Sequence, residues 1–305
     1  LLKRKKAGQE ILEYVKEHSY KSGTPTMGGI AIILAMLTAA LIFGKGKFVY
    51  ITLAVAFAYG VTGFLDDSIK IRYKRNLGLR PYQKIILQLS IALIVAFVVY
   101  KNELIRGDVY IPFTKKTVSL RWGVIPLVVF IFIATTNSVN LTDGLDGLAA
   151  STTLVYMAGI AAIIAIVAAD ADKNGLSLYV KEYQGLLTVC FATVGSLAGF
   201  LLFNCFPAKI FMGDVGSLAL GGVVACVSIL GRLSLYIPIL GVMFATSAVS
   251  DIIQVVHYKR TKRRVFLMAP FHHHLQKKGL SETRIGFLYS TITGIVALIC
   301  VLTLI

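Results

Sequence analysis

Charged side chains are scarce in this 305-residue sequence: Asp, Glu, Lys and Arg make up 15% of it, against about 25% in an ordinary globular chain. With 56% hydrophobic residues and a mean hydropathy of +0.76, a water-soluble domain is excluded and a membrane protein is expected. Acidic residues are the scarcer sign, 15 against 31 Lys and Arg. The basic residues are gathered in short blocks between long apolar runs, which speaks for membrane topology and against a nucleic-acid partner. Cysteine pairs at C-x-x-C spacing are missing, so neither a disulfide framework nor a thiolate metal site is indicated, and Cys190, Cys205, Cys226 and Cys300 read as small core residues. Internal repeats and low-complexity tracts are also missing, which removes support for an inverted-repeat transporter.

What is present is a series of nine apolar segments, roughly 27–44, 47–65, 82–100, 124–140, 148–169, 185–203, 215–231, 237–256 and 286–305. Each approaches the ~20 residues a helix needs to cross the hydrocarbon. The fold class expected is therefore an all-α polytopic membrane protein, one transmembrane domain over 1–305 with the lipid bilayer as its partner. If residues 1–26 are cytoplasmic, the inner loops (1–26, 66–84, 141–147, 204–214 and 257–285) carry 21 of the 31 basic residues, as the positive-inside rule requires. Ile11, Tyr14, Val15 and His18 at helical spacing suit a segment on the membrane surface. Within the outer loop 101–121, residues 109–113 and 118–120 predict a small β-hairpin around Thr114–Thr117. The chain begins without Met, so an incomplete start is expected, with a further span before it.

The acids lie on one side of this topology. Asp66 and Asp67 close the second span, Asp143 and Asp146 open the fifth and share one helical face if the helix has begun there, Asp214 opens the seventh, and Asp251 sits in the last turns of the eighth. A charge near the bilayer centre costs about 2.5–3.5 kcal/mol on insertion scales, so such placement marks function. Helix-terminus roles account for Asp143 and Asp214, but not for Asp66 and Asp67 near a helix C-terminus. Several carboxylates crowd together only if cations offset their repulsion; Lys70, Arg72, Lys84, Lys21 and a divalent ion are the candidates. Oxygen-only donors favour Mg²⁺ over Zn²⁺, and Mg²⁺ is commonly bound with phosphate oxygens of a substrate. Phe211 through Ser217 form a Gly-flanked turn into a helix, a natural phosphate cradle. Asn204-Cys205-Phe206-Pro207 precedes it, and Asn137 through Gly147 is dense in polar groups. His272, His273 and His274 are expected on a loop that donates imidazole hydrogen bonds to phosphate or sugar.

These pieces resemble a known family. Lys21 through Gly29, the Asp66-Asp67 pair, Asn137 through Gly147, Asn204 through Pro207 with Phe211 through Ser217, and Pro270 through His274 stand in the order and spacing of the phospho-N-acetylmuramoyl-pentapeptide transferases. The aspartate motifs look like the wider superfamily of polyprenyl-phosphate hexosamine-1-phosphate transferases. The resemblance implies ten spans, so that the first is absent here, and a homodimer in the bacterial inner membrane with its active site on the cytoplasmic face. It implies transfer of phospho-MurNAc-pentapeptide from UDP to undecaprenyl phosphate, giving UMP and lipid I for peptidoglycan, with Mg²⁺ held by Asp214. Asp66 and Asp67 complete the catalytic set, with two competing roles: positioning or deprotonating the lipid phosphate, or forming an aspartyl-phosphate. By family position Asp143, Gly144, Leu145, Asp146, Asn204 and Phe211 look like the nucleotide site, with the Phe211 ring offered to uracil, and Asn137 and Asn140 look like further substrate-binding residues. His272, His273 and His274 look like sugar or diphosphate contacts, Lys21 and Thr26 like the mouth of the site, and Lys84 like the anchor of the lipid phosphate. The alternatives are a UDP-GlcNAc:polyprenyl-phosphate transferase and, from another class, an ion-coupled transporter.

Overall fold

The computed structural model describes residues 23–73, 77–114 and 116–304. Lys21 and the surface segment expected around 10–18 lie outside the described residues. Among the described residues the chain forms eleven α-helices and one two-stranded ribbon: α1 (Gly29–Phe43), α2 (Lys47–Arg72), α3 (Pro81–Lys101), β1 (Asp108–Tyr110), β2 (Thr117–Ser119), α4 (Val124–Thr142), α5 (Leu148–Lys173), α6 (Ser177–Asn204), α7 (Gly213–Leu230), α8 (Ile237–Leu240), α9 (Val242–Thr261), α10 (Phe271–Lys277) and α11 (Glu282–Leu302). All nine apolar segments are helical. Seven are long and apolar enough to cross a membrane, and α8 with α9 makes an eighth that bends by 77° at Gly241. The remaining one, α1, is a shorter apolar helix of 15 residues. The hairpin is antiparallel and pairs Val109 with Val118, within a residue or two of its predicted strands.

Helix α7 is the axis of the bundle. Every residue from Val215 to Leu230 is buried, so the apolar side chains that make it hydrophobic all round meet protein rather than lipid. The outer helices keep large apolar residues exposed, Ile86, Leu93, Ile94 and Phe97 on α3 and Phe287, Ile295 and Leu298 on α11 among them, as a lipid-facing surface demands. Tyr59 of α2 ties three helices: its ring stacks on Phe132 of α4 at 5.8 Å and its hydroxyl donates to the Gln88 carbonyl of α3 at 3.1 Å.

At the end of the bundle away from the acids, two polar devices replace water. Arg232 pairs with Asp108 at 2.9 Å and lies over the rings of Tyr110 and Tyr179, fastening the ribbon to α6 and α7. Glu182 of α6, 4% exposed, accepts from the backbone N–H groups of Lys47 (3.0 Å) and Phe48 (2.8 Å). It thus caps the start of α2 from a neighbouring helix, satisfying donors that have no intrahelical partner. Glu182→Ala is expected to lower stability by about 1–3 kcal/mol, the cost of leaving buried donors unpaired, and thermal unfolding in detergent measures it.

Three expectations are corrected here. Asp143 and Asp146 do not open the fifth helix on one face: α4 ends at Thr142, α5 begins at Leu148, and 143–147 is a turn, because Gly144 and Gly147 interrupt the helix and Gly147 takes a positive φ of 72°. The three histidines sit on the two-turn helix α10 rather than on a loop. Cys205 is exposed, whereas Cys190, Cys226 and Cys300 are buried as expected.

Candidate active site

Helix α2 does not stop at the edge of its apolar run. It continues to Arg72, so Asp66 and Asp67 lie in its last two turns, both buried, with Lys70 one turn on. That spacing brings the Lys70 ammonium onto the Asp66 carboxylate at 2.6 Å and within 3.7 Å of Asp67, and Lys70 and Arg72 also suit the negative end of the helix dipole. The unfavourable placement of two acids at a helix C-terminus is thereby offset by their own basic neighbours.

Asp214, in the first turn of α7, meets this pair from across the bundle. Helices α2 and α7 can cross so closely because Gly63 has no side chain; a Cβ there would strike the backbone of Asp214 and Val215. The Val215 N–H donates to Asp67 at 3.1 Å, and the Leu79 N–H donates to Asp66 at 2.9 Å, drawing the α2–α3 connection against the site. Lys70 reaches Asp214 at 3.1 Å and Lys84 of α3 reaches the same oxygen at 2.7 Å. Its other oxygen accepts from Asn140 Nδ2 at 2.9 Å, which also donates to Ser217 Oγ at 2.8 Å. Carboxylate oxygens of Asp66, Asp67 and Asp214, one from each, lie within 4.8 Å of one another. Three hard oxygen donors converging around a cation, here the Lys70 ammonium, fit a divalent ion of the Mg²⁺ class.

Four further pieces surround the cluster. Residues 25–29 pair with 211–212 through Phe211 N to Pro25 O (2.8 Å), Gly28 N to Phe211 O (2.8 Å) and Gly29 N to Met212 O (2.9 Å). This brings Thr26, whose buried hydroxyl lacks a hydrogen-bond partner, beside Gly213, with the half-buried Phe211 next to it. The turn 143–147 is braced by Asn204, which accepts from Gly147 N (3.1 Å) and donates to Ile210 O (2.9 Å), and by Asp146, which accepts from Ala208 N at 2.9 Å. The Asp143 carboxyl is pushed up to about 8 by loss of hydration first, then by the charges of Asp214, Asp67 and Asp146. It therefore gains from any cation brought to the cluster. Asn137 faces Gln88 of α3 instead, donating to its side-chain oxygen at 2.8 Å and to Ile133 O.

Helix α10 closes the far side. His272 is fully buried beside Gly144, its ring 6.5 Å from that of Tyr289, and neither ring nitrogen has a hydrogen-bond partner. His273 lies beside it with the two rings tilted at 57° and their centroids 4.3 Å apart, and contacts Gln276. His274 turns away, accepting from Leu267 N at 3.1 Å between the rings of Phe266 and Phe271. Burial, with the charge of His273 as a lesser cause, holds His272 well below its ordinary value of 6.5, so it is neutral at pH 7. As the pH falls below that ordinary value, the opened chain takes up a proton that the folded one refuses, and folded α10 loses stability at up to about 1.4 kcal/mol per pH unit. Amide hydrogen exchange across α10, corrected for intrinsic rates, is expected to accelerate from pH 7.5 to pH 5.5, and to respond less in His272→Gln.

The structure thus gathers Asp66, Asp67, Asp214, Lys84, Asn140, Asp143, Thr26 and His272 at one end of the bundle. Ser217 joins them through Asn140, and Lys70, one of the cations expected beside the acids, sits at i+3 and i+4 from the pair.

Comparison with known sequences decides the family. Residues 48–232 match the profile of glycosyl transferase family 4, and residues 21–33 match phospho-N-acetylmuramoyl-pentapeptide-transferase signature 1. The chain is 42% identical over 308 residues to the phospho-N-acetylmuramoyl-pentapeptide-transferase of Clostridium novyi, covering 100% of this chain and 90% of that protein. The corresponding enzyme of Bacillus mycoides is 44% identical over 290 residues, 93% of this chain and 85% of its own. That of Clostridioides difficile is 40% identical over 304 residues, 99% and 90%. The chain belongs to the phospho-N-acetylmuramoyl-pentapeptide-transferase family. It is a multi-pass membrane phosphoglycosyl transferase, and the acidic cluster at the end of α2 and the start of α7 falls inside the matched region.

Proposed function

We propose that the chain transfers phospho-N-acetylmuramoyl-pentapeptide from UDP-MurNAc-pentapeptide to undecaprenyl phosphate, releasing UMP and forming lipid I for peptidoglycan. The observation that carries the chemistry is the three-carboxylate cluster with two lysines upon it, at one end of a membrane bundle. The signature at residues 21–33 and the relatives' names support the muramoyl branch. The enzyme works as a homodimer in the bacterial inner membrane, its cluster facing the cytoplasm on the positive-inside argument.

One phosphoanhydride is broken and another made, so catalysis rests on alignment and charge neutralisation. Asp214 would hold Mg²⁺, with Asp66 and Asp67 beside it, and the bound ion would neutralise diphosphate charge. Lys84 anchors the acceptor phosphate, and Lys70 offsets the charge of the acid pair and holds it in place. A phosphate monoester has its second pKa near 6 and is already largely dianionic at pH 7, so it needs relief from repulsion more than a general base. Direct attack in a ternary complex follows, with Asp66 positioning the acceptor. Asp143, Gly144, Leu145, Asp146 and Phe211 form the nucleotide side, Phe211 offering its ring to uracil, with Asn204 bracing them. Asn140 fixes Asp214, and Asn137 registers α4 on α3. His272 and His273 meet the sugar or diphosphate, His274 orders the segment before them, and Lys21 and Thr26 complete the mouth.

UMP release by the purified protein with undecaprenyl phosphate and Mg²⁺ tests this reading. UMP is expected from UDP-MurNAc-pentapeptide and not from UDP-GlcNAc; release from UDP-GlcNAc alone would transfer the protein to the sister branch.

A further inference from the structure

The turn 143–147 carries two glycines and lies between helices without belonging to either, so it does not hold its own shape. Its donors go elsewhere. Gly147 N is taken by Asn204 at the end of α6, and Asp146 N is taken by Glu282 Oε2 at 3.0 Å. Glu282 comes from the first turn of α11, 136 residues further along the chain, and is 7% exposed. Its own helix start is capped independently by Ser281, which accepts from Arg284 N. The charge suits the positive end of the α11 dipole, and its oxygen is aimed at a backbone donor in the turn. The same face of α11 supplies Ile285 and Tyr289, which pack with Leu145, Leu148 and Met243 under the turn. One helix end thus holds the turn by an apolar base and a charge-assisted hydrogen bond.

We propose that Glu282 is a positioning residue for the nucleotide side of the active site: by accepting from Asp146 N it fixes the turn that presents Asp143, Gly144 and Leu145 beside His272. This rests on the reading that the turn meets the UDP-linked substrate. The polyprenyl phosphate, on the Lys84 side, is not held by this turn. What Glu282 supplies is an acceptor at a given reach, not a charge at the reaction centre.

Two variants separate reach from charge. Glu282→Asp keeps the charge but withdraws the acceptor by one methylene; Glu282→Gln loses the charge but keeps an acceptor oxygen at the same reach. Glu282→Asp is expected to raise KM for UDP-MurNAc-pentapeptide by roughly tenfold, with KM for undecaprenyl phosphate changed less than about twofold. Glu282→Gln is expected to stay within about threefold of the parent on both. Equal rises in the two KM values, a fall in kcat alone, or a Gln variant as impaired as the Asp variant would overturn the assignment. Amide exchange at Asp146 reads the hydrogen bond without turnover: it should quicken in Glu282→Asp and stay protected in Glu282→Gln, and the reverse order refutes the proposal. Because that readout needs no substrate, inactivity of the parent enzyme would count against the functional reading and leave the Glu282 assignment separately decided.

Discussion

Asp214→Ala is expected to abolish UMP release, with kcat falling by at least about 10³, and to remove the dependence of activity on added metal. Asp214 is where the cluster converges. One oxygen takes both lysines and the other takes Asn140, and its backbone lies against Gly63. Removing the carboxylate leaves Lys70 with Asp66 and Asp67 but frees Lys84 and Asn140, and the metal site loses a donor that α2 cannot replace. The protein itself should remain folded, since α7 is buried from Val215 onward by apolar contacts and the lost carboxylate is a terminal feature. The check is turnover against metal concentration in parent and variant, with thermal unfolding in parallel. Residual metal-dependent turnover in the variant would move the ion to another donor set.

Gly63→Ala is the second large effect. The added methyl meets the backbone of Asp214 and Val215, and backbone cannot rotate away as a side chain can. Overpacking of this kind costs about 1–3 kcal/mol. The larger consequence is geometric: α7 must shift relative to α2, separating Asp214 from Asp66 and Asp67, and a displacement on the order of 1 Å in a catalytic constellation lowers rate by about 10². Gly199→Ala on α6 supplies the control. A Cβ there meets nothing within 4 Å, and Ala is favoured over Gly in a helix by about 1 kcal/mol, so activity and stability are expected to hold. Similar activities for the two variants would mean that the α2–α7 crossing does not set the site.

Hydropathy located each apolar helix but read the wrong boundary where helix and membrane part company. In α2 the apolar run ends at Leu65, while the helix continues because Lys70 pairs with Asp66 and, with Arg72, favours the C-terminal dipole. The acid pair is therefore legible as a site and Lys70 as one of the cations that offset it, whereas the continuation of the helix through Lys70, which seats that ammonium on Asp66, is not. The turn at 143–147 falls in the inner loop expected at 141–147, and the one face that Asp143 and Asp146 would share on a helix does not form because Gly144 and Gly147 break it. Asp143 then joins the other acids, and Asp146 goes to Ala208 N. The histidines form a helix, which sends His272 inward and His274 to the Leu267 backbone; a run of three identical letters carries no such distinction. Gln88 and Glu282 were illegible for a different reason. Their partners, Asn137 and the Asp146 amide, lie 49 and 136 residues away, and nothing local in either residue's surroundings encodes a contact made by tertiary packing.

The claim on which the account turns is that Asp66, Asp67 and Asp214 together hold a divalent cation. Binding of Mn²⁺ to the purified protein, followed by electron paramagnetic resonance without substrate and with Mg²⁺ as competitor, reads this directly. One Mn²⁺ per chain, displaced by Mg²⁺ and lost in Asp214→Ala, is the expected result. Undiminished binding in Asp214→Ala would contradict it.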